Sequence, residues 1–245
     1  MSAPPTLLLL TRPESASRAF LEALLRAGVG QVEPIISPLI DVTVIGPLPD
    51  LSGLAGLVFT SANGVRAYTA LGGAPGLPAF TVGRATARAA EQAGLRARAA
   101  EGDADALVAM LAQDGARGPL VHLRGSHARG DVAKRLTDLA IPTTEAVIYD
   151  QPIRPPNEDA LAALQGTRPV VAPLFSPRTA TFFAALPKNA PIFVAAFSEA
   201  VALAAGGPHI VSPGIARRPD EAAMIACTAD MVAQARKLEA RRGRV

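Results

Sequence analysis

The sequence has a single cysteine, Cys227, and three histidines, His122, His127 and His209. A lone thiol excludes an internal disulfide framework, and histidines this scattered make no metal-ligand spacing, so no metal is expected. An excess of either charge is also missing. Twenty-four Lys and Arg against 21 Asp and Glu leave a net charge of +3, too small to imply a nucleic-acid partner. No window approaches ~20 consecutive apolar residues, which excludes a membrane-spanning helix. The stretch from Met1 to Leu10 lacks a charged n-region, and Thr11-Arg12-Pro13 breaks it after four leucines. It reads as a buried parallel strand rather than an export signal, and a cytoplasmic location is expected. No Gly-x-x-x-x-Gly-Lys-Ser/Thr is present and no Gly-x-Gly-x-x-Gly follows a strand, which disfavours nucleoside triphosphate and dinucleotide cofactors. No Ser-His-Asp or Cys-His arrangement supports covalent catalysis.

What the chain does contain is an alternation of apolar runs and amphipathic segments. Its 245 residues are 49% hydrophobic with 21 Gly and 22 Pro, a composition of folded α/β chains and long enough for two small domains. Strands are expected at 7–10, 57–60, 79–82, 96–99, 120–123, 145–149, 170–175, 192–195 and 209–211. Helices are expected at 14–27, 63–71, from Gly83 to Gly94, near 104–112, to about Ala140, and at 157–164, 178–186, 199–205 and from about Asp220. Such alternation argues for parallel sheets covered by helices. Pro34 and Pro38 in the extended run 32–44 cannot both sit in a central strand, so the chain changes course there. Gln151-Pro152-Ile153-Arg154-Pro155-Pro156 is the best linker. Cys227 falls in the apolar helical stretch 222–232 and reads as a core residue. The basic tail from Arg236 to Arg244 reads as a frayed, solvated terminus.

The halves resemble each other. Leu8-Leu9-Leu10-Thr11-Arg12 aligns with Val121-His122-Leu123-Arg124-Gly125, Glu33-Pro34-Ile35-Ile36 with Glu145-Ala146-Val147-Ile148, 80–94 with 193–207, and Phe59 with Phe175. Matches in one order at this long a spacing mean two copies of one α/β unit and exclude a solenoid. Each copy puts polar or basic residues at the C-terminal ends of its strands: Thr11 and Arg12; Thr60, Ser61 and Asn63; Arg84 and Thr86; Arg124, Ser126 and Arg129; Ser176 and Arg178; Ser198. Ligands of open parallel sheets bind at that edge, where a helix start also offers free N–H groups and a positive dipole end. A polyanion in a cleft between two such edges is the expected ligand. The same hydroxyls are also ordinary N-cap residues. Three readings stay open on these residues: an enzyme, a non-catalytic two-lobed binding protein for an anionic metabolite, and a receiver-like module. The last would want an acidic cluster where Thr11-Arg12 stands.

Several motifs together resemble the uroporphyrinogen-III synthase family: Leu10-Thr11-Arg12-Pro13, Phe59-Thr60-Ser61-Ala62-Asn63-Gly64-Val65, Val82-Gly83-Arg84-Ala85-Thr86-Ala87, Leu123-Arg124-Gly125, Glu145-Ala146-Val147-Ile148-Tyr149 and Phe175-Ser176-Pro177. The resemblance implies two flavodoxin-like α/β lobes with parallel sheets joined by a two-stranded linker. One lobe is expected from residues 1–37 with 154–245 and the other from 38–153. It implies cyclisation of hydroxymethylbilane with inversion of ring D and loss of water, without a cofactor. Tyr149 matches the tyrosine held to donate a proton to the departing hydroxyl. Arg12, Thr60, Ser61, Asn63, Gly83, Thr86, Arg124, Gly125, Ser176, Arg178 and Ser198 are the expected substrate-binding residues. In the second lobe the family's Gly-x-x-Thr-Ala is replaced by Ala196-Phe197-Ser198-Glu199-Ala200, which displaces Ser198 by one position. Arg66 and Arg88 read instead as solvated helix-face residues. A monomer is expected, without nucleic-acid or membrane partners, and in transient contact with hydroxymethylbilane synthase.

Overall fold

The computed structural model describes residues 4–128 and 130–242, and Arg129 and the last residues of the basic tail lie outside them. Two compact units result, one formed by the chain up to Asp41 and from Ile153 onward, the other by Val42–Pro152. The chain passes from one to the other twice, close to the prolines that argue for a change of course.

The first unit contains β1 (Thr6–Leu10), α1 (Glu14–Arg26), β2 (Val32–Ile36), α6 (Glu158–Gln165), β9 (Val170–Leu174), α7 (Pro177–Ala185), β10 (Ile192–Ala196), α8 (Glu199–Ala204), β11 (Ile210–Ile215) and α9 (Glu221–Arg242). Its five strands are parallel in the order β11-β10-β9-β1-β2. Both faces are covered, which explains why the inner strands β1, β9 and β10 are buried at every position and not at alternate ones. Leu7 and Leu9 join Leu164, Phe183 and Val201 on one side, and Leu8 and Leu10 join Phe20, Leu24, Met224 and Met231 on the other. Each such side chain contributes ~1.5–3 kcal/mol by leaving water. Pro34 is accommodated because β2 is an edge strand paired only with β1, where a missing N–H costs no ladder bond.

The second unit contains β3 (Thr43–Val44), β4 (Gly56–Phe59), α2 (Ala62–Ala70), β5 (Pro78–Thr81), α3 (Arg84–Gln92), β6 (Arg96–Ala99), α4 (Ala104–Gln113), β7 (Leu120–Gly125), α5 (Val132–Asp138) and β8 (Thr143–Asp150). Its order is β3-β8-β7-β4-β5-β6, parallel except for β3, which runs antiparallel to β8. Leu57 and Phe59 face Val65, Tyr68 and Ala90, whereas Val58 faces Leu107, Leu111 and Leu136. Placing β7 on β1, β8 on β2, β4 on β9, β5 on β10 and β6 on β11 superposes the two strand orders. Four of these five pairs, all but β6 on β11, are those that the internal sequence repeat aligns. The second unit is therefore the same flavodoxin-like order with its chain start moved to the β4 equivalent.

Cys227 is buried, in the α9 core beside Met224 and Met231. The tail is a correction. Helix α9 continues to Arg242; Arg236 donates to the carbonyls of Gly30 and Gln31 and Arg242 to that of Thr167. Leu238 packs on the core. Basic composition suggested a frayed terminus; the side chains of Lys237, Arg241 and Arg242 are exposed, but the helix is regular to Arg242 and its guanidinium groups reach loop carbonyls. Among the described residues no helix is long and apolar enough to cross a membrane, and no group of three or more His, Cys, Asp or Glu is placed to hold a metal ion.

Candidate active site

In the second unit the ends of β8, β7, β4 and β5 form one rim. Tyr149 belongs to it, and its ring lies tight against Gly125. A Cβ on Gly125 would lie 2.6 Å from Tyr149 Cε2 and 3.0 Å from its hydroxyl, and one on Gly64 would lie 3.0 Å from the Leu123 carbonyl and 3.7 Å from Tyr149 Cε1. A shift in register between Arg124 and Gly125 sets Gly125 opposite Tyr149, as a bulge does when it re-aims a side chain. Tyr149 is 5% exposed. Burial raises its pKa above the ordinary phenol value, while the Ser61 side chain and the Gly125 N–H, both bonded to it, pull the other way. The phenol thus keeps its proton at neutral pH.

Ser61 caps α2, its oxygen accepting from the Asn63 N–H at 3.2 Å. Asn63 Oδ1 accepts from Arg66 at 2.8 Å, and Arg66 lies on the exposed helix face, as does Arg88. Thr60 Oγ1 lies 3.3 Å from Nε2 of His122. Gly83 is the N-cap of α3; Thr86 is buried in the first turn, and Arg84 pairs with Glu101 at 2.7 Å in solvent. Arg124 donates to Glu145 at 2.6 Å and to the Gly125 carbonyl at 3.0 Å. That pairing holds the Glu145 carboxyl below its ordinary pKa, and it leaves Arg124 Nε buried without a partner. Ser126 donates to Asp150, which also lies 3.9 Å from His127 Nε2.

The rim of the first unit is built differently. Arg12 stacks on Phe175, 4.2 Å from the ring centroid, and Phe175 meets Phe20 edge-on at 5.0 Å and Phe197 at 5.7 Å. Ser176 caps α7, accepting from the Thr179 N–H at 3.1 Å. Arg178 lies 5.6 Å from the Phe182 ring, with Nη1 buried and unpartnered. Ser198 stands at the start of α8 without a side-chain capping bond. Thr11, expected on the rim, is 1% exposed, and its hydroxyl has no hydrogen-bond partner.

The structure thus brings Ser61, Gly125 and Tyr149 into contact and sets Thr60 beside them, whereas Arg124 is engaged by Glu145. Sequence reasoning did not foresee the Phe20–Phe175–Phe197 cluster under Arg12, nor the place of His122. A signal for the second existed: an imidazole inside the otherwise apolar run Leu120-Val121-His122-Leu123 needs a partner if buried.

The sequence model of HEM4, "Uroporphyrinogen-III synthase HemD", matches residues 19–226. No curated protein sequence matches the chain. Among solved structures, the fold is similar to uroporphyrinogen-III synthetase from Helicobacter pylori, with a TM-score of 0.65 at 14% identity over 93% of this chain and 99% of that one. It is also similar to a mutant uroporphyrinogen III synthase from the extremely thermophilic bacterium Thermus thermophilus, with a TM-score of 0.53 at 17% identity over 94% and 99%. Both likenesses are of fold. With the family match spanning most of its length, the chain belongs to the uroporphyrinogen-III synthase family.

Proposed function

We propose that Tyr149 is the proton donor of this synthase and that the strand-end groups of each unit hold its substrate. The protein is a lyase that closes hydroxymethylbilane to uroporphyrinogen III. The reaction expels the hydroxyl of ring A as water and leaves a cationic azafulvene. Ring D attacks through its substituted carbon, and the spiro intermediate opens and recloses with that ring inverted. The substrate carries eight carboxylates on a flexible chain, so much of the barrier is positioning. Arg12, Thr60, Ser61, Asn63, Gly83, Thr86, Arg124, Gly125, Ser176, Arg178 and Ser198 supply hydroxyls, helix-start N–H groups and guanidinium groups for those carboxylates. Buried donors without a protein partner, Nε of Arg124 and Nη1 of Arg178, favour this reading, because such atoms are costly unless something meets them.

The observation that carries the proton-donor role is the close seating of the Tyr149 ring on Gly125, where no Cβ would fit. It holds a protonated phenol at the rim with the Gly125 N–H bonded to it. The sequence has two tyrosines, and the other, Tyr68, is in the core and donates to the Ala74 carbonyl at 2.7 Å. The phenol gives its proton to the departing hydroxyl and recovers one when the closing ring sheds its own. Tyr149→Phe tests the role. Assayed with fresh hydroxymethylbilane for type III over the spontaneous type I ring, it should lose ~10²-fold or more in kcat with an unchanged melting temperature. Full kcat in the folded variant removes the acid role. The reading includes a cytoplasmic monomer that takes its unstable substrate from hydroxymethylbilane synthase.

A further inference from the structure

We propose that His122 is a positioning residue for the Thr60 hydroxyl, holding it so that its proton points outward as a donor to a substrate carboxylate. The inference rests on the reading of the Thr60–Ser61 turn as part of the substrate site, and it deepens that reading.

His122 lies in the middle of β7, opposite Val58 of β4 and Glu145 of β8. It is 1% exposed. Its neighbours on the same strand, Leu120 and Leu123, are core residues of the ordinary kind, and a leucine would fill the position without burying polar atoms. The imidazole instead makes a hydrogen bond through Nε2 to Thr60 Oγ1, 3.3 Å away, while Nδ1 is buried without a partner. A side chain that leaves one ring nitrogen unsatisfied destabilises the core relative to an apolar one, so the bond to Thr60 is the feature that distinguishes this residue from a leucine.

The unpaired nitrogen also decides the tautomer. A neutral imidazole has one N–H and one lone pair. If Nδ1 carried the hydrogen, a buried N–H would be left without an acceptor, the rarer and costlier kind of orphan. With the hydrogen on Nε2, the orphan is a lone pair and the ring donates to Thr60 Oγ1. The threonine oxygen then accepts from inside the sheet, and its own O–H is free to turn toward the rim. The opposite tautomer would spend that O–H on the ring and offer a carboxylate only lone pairs. Burial keeps the ring neutral, pushing its pKa down to about 4; Glu145 opposes that shift and Arg124 adds to it. The arrangement thus orients a donor without placing a cation under the rim.

The test combines kinetics with spectroscopy on the full chain. In steady-state assays with hydroxymethylbilane, Thr60→Val and His122→Leu should each raise KM about 3- to 10-fold, as expected for one lost oriented hydrogen bond, with kcat within about twofold of wild type. His122→Gln, whose amide can place an N–H near the Nε2 position, should recover most of the loss. The double variant Thr60→Val/His122→Leu should match Thr60→Val alone, since the histidine acts only through that hydroxyl. Long-range ¹H–¹⁵N correlation of the imidazole should show the Nε2–H tautomer. An Nδ1–H tautomer overturns the proposal, as do multiplying effects in the double variant or an unchanged KM in His122→Leu where Thr60→Val raises it. An unchanged KM in Thr60→Val instead removes the turn from the substrate site, which is a separate failure and takes the proposal with it.

Discussion

The same histidine makes the stability of the second unit sensitive to mild acid. Burial moves the His122 pKa from its ordinary 6.5 to about 4, so between those values the unfolded chain binds a proton that the folded chain refuses. Stability falls wherever the unfolded state binds more protons and the pH is lowered. The contribution is therefore fully present above pH 6.5 and is lost progressively as the pH drops toward 4. At about 1.4 kcal/mol for each tenfold change in proton affinity, the whole loss is about 3 kcal/mol, of which about 2 kcal/mol is gone by pH 5. Against a typical margin of ~5–15 kcal/mol this is readily measured. Carboxyls held below their ordinary pKa, such as Glu145 and Asp50, act with the same sign, but they protonate at lower pH, which leaves the interval between 5 and 7 to the histidine. Urea unfolding at pH 7.5, 6.5 and 5, followed at constant m-value, measures the slope. In His122→Leu the loss between pH 7 and 5 should shrink by about 2 kcal/mol. Equal slopes in the two proteins, or a wild-type stability that is flat down to pH 5, would refute the reasoning.

Gly125→Ala puts a methyl 2.6 Å from Cε2 and 2.7 Å from Cζ of Tyr149, and a ring packed into the core cannot swing away. It should cost about 1–3 kcal/mol by overpacking, seen in thermal melts, and should lower kcat through the displaced phenol; a neutral outcome in both would show that the ring is not clamped. Ser176→Ala removes the oxygen that accepts from the Thr179 N–H and should cost ~1 kcal/mol. Ser198 makes no capping bond, so Ser198→Ala should stay within about 0.5 kcal/mol, and the order of the two losses in denaturant titration checks the assignment.

Most elements were legible in the chain because their signals are local. Apolar runs such as 57–60 and 170–175, a stop such as Gly94, and N-caps such as Ser61 and Ser176 mark them within a few residues. Strand ends followed by hydroxyls and arginines also located the rim residues. Errors arose where a residue's partner is remote in sequence. Basic composition suggested a frayed tail, yet the helix runs on to Arg242, Arg236 reaches carbonyls at 30 and 31 and Arg242 one at 167. Other partners are equally remote: the salt bridge between Arg124, expected at the rim, and Glu145 on the next strand exists only in the folded chain. His122 looked incidental until β4 placed Thr60 beside it.

From sequence alone follow the alternation of strand and helix, the internal repeat and the chemistry of the strand-end residues, since periodicity and residue type act over short stretches. Strand order, and with it the permuted start of the second unit, came only from the folded chain. So did the close seating of Tyr149 on Gly125 and the bond between His122 and Thr60. Pairings of that kind join residues far apart along the chain, where no local pattern reaches and only the packing of whole elements selects a partner.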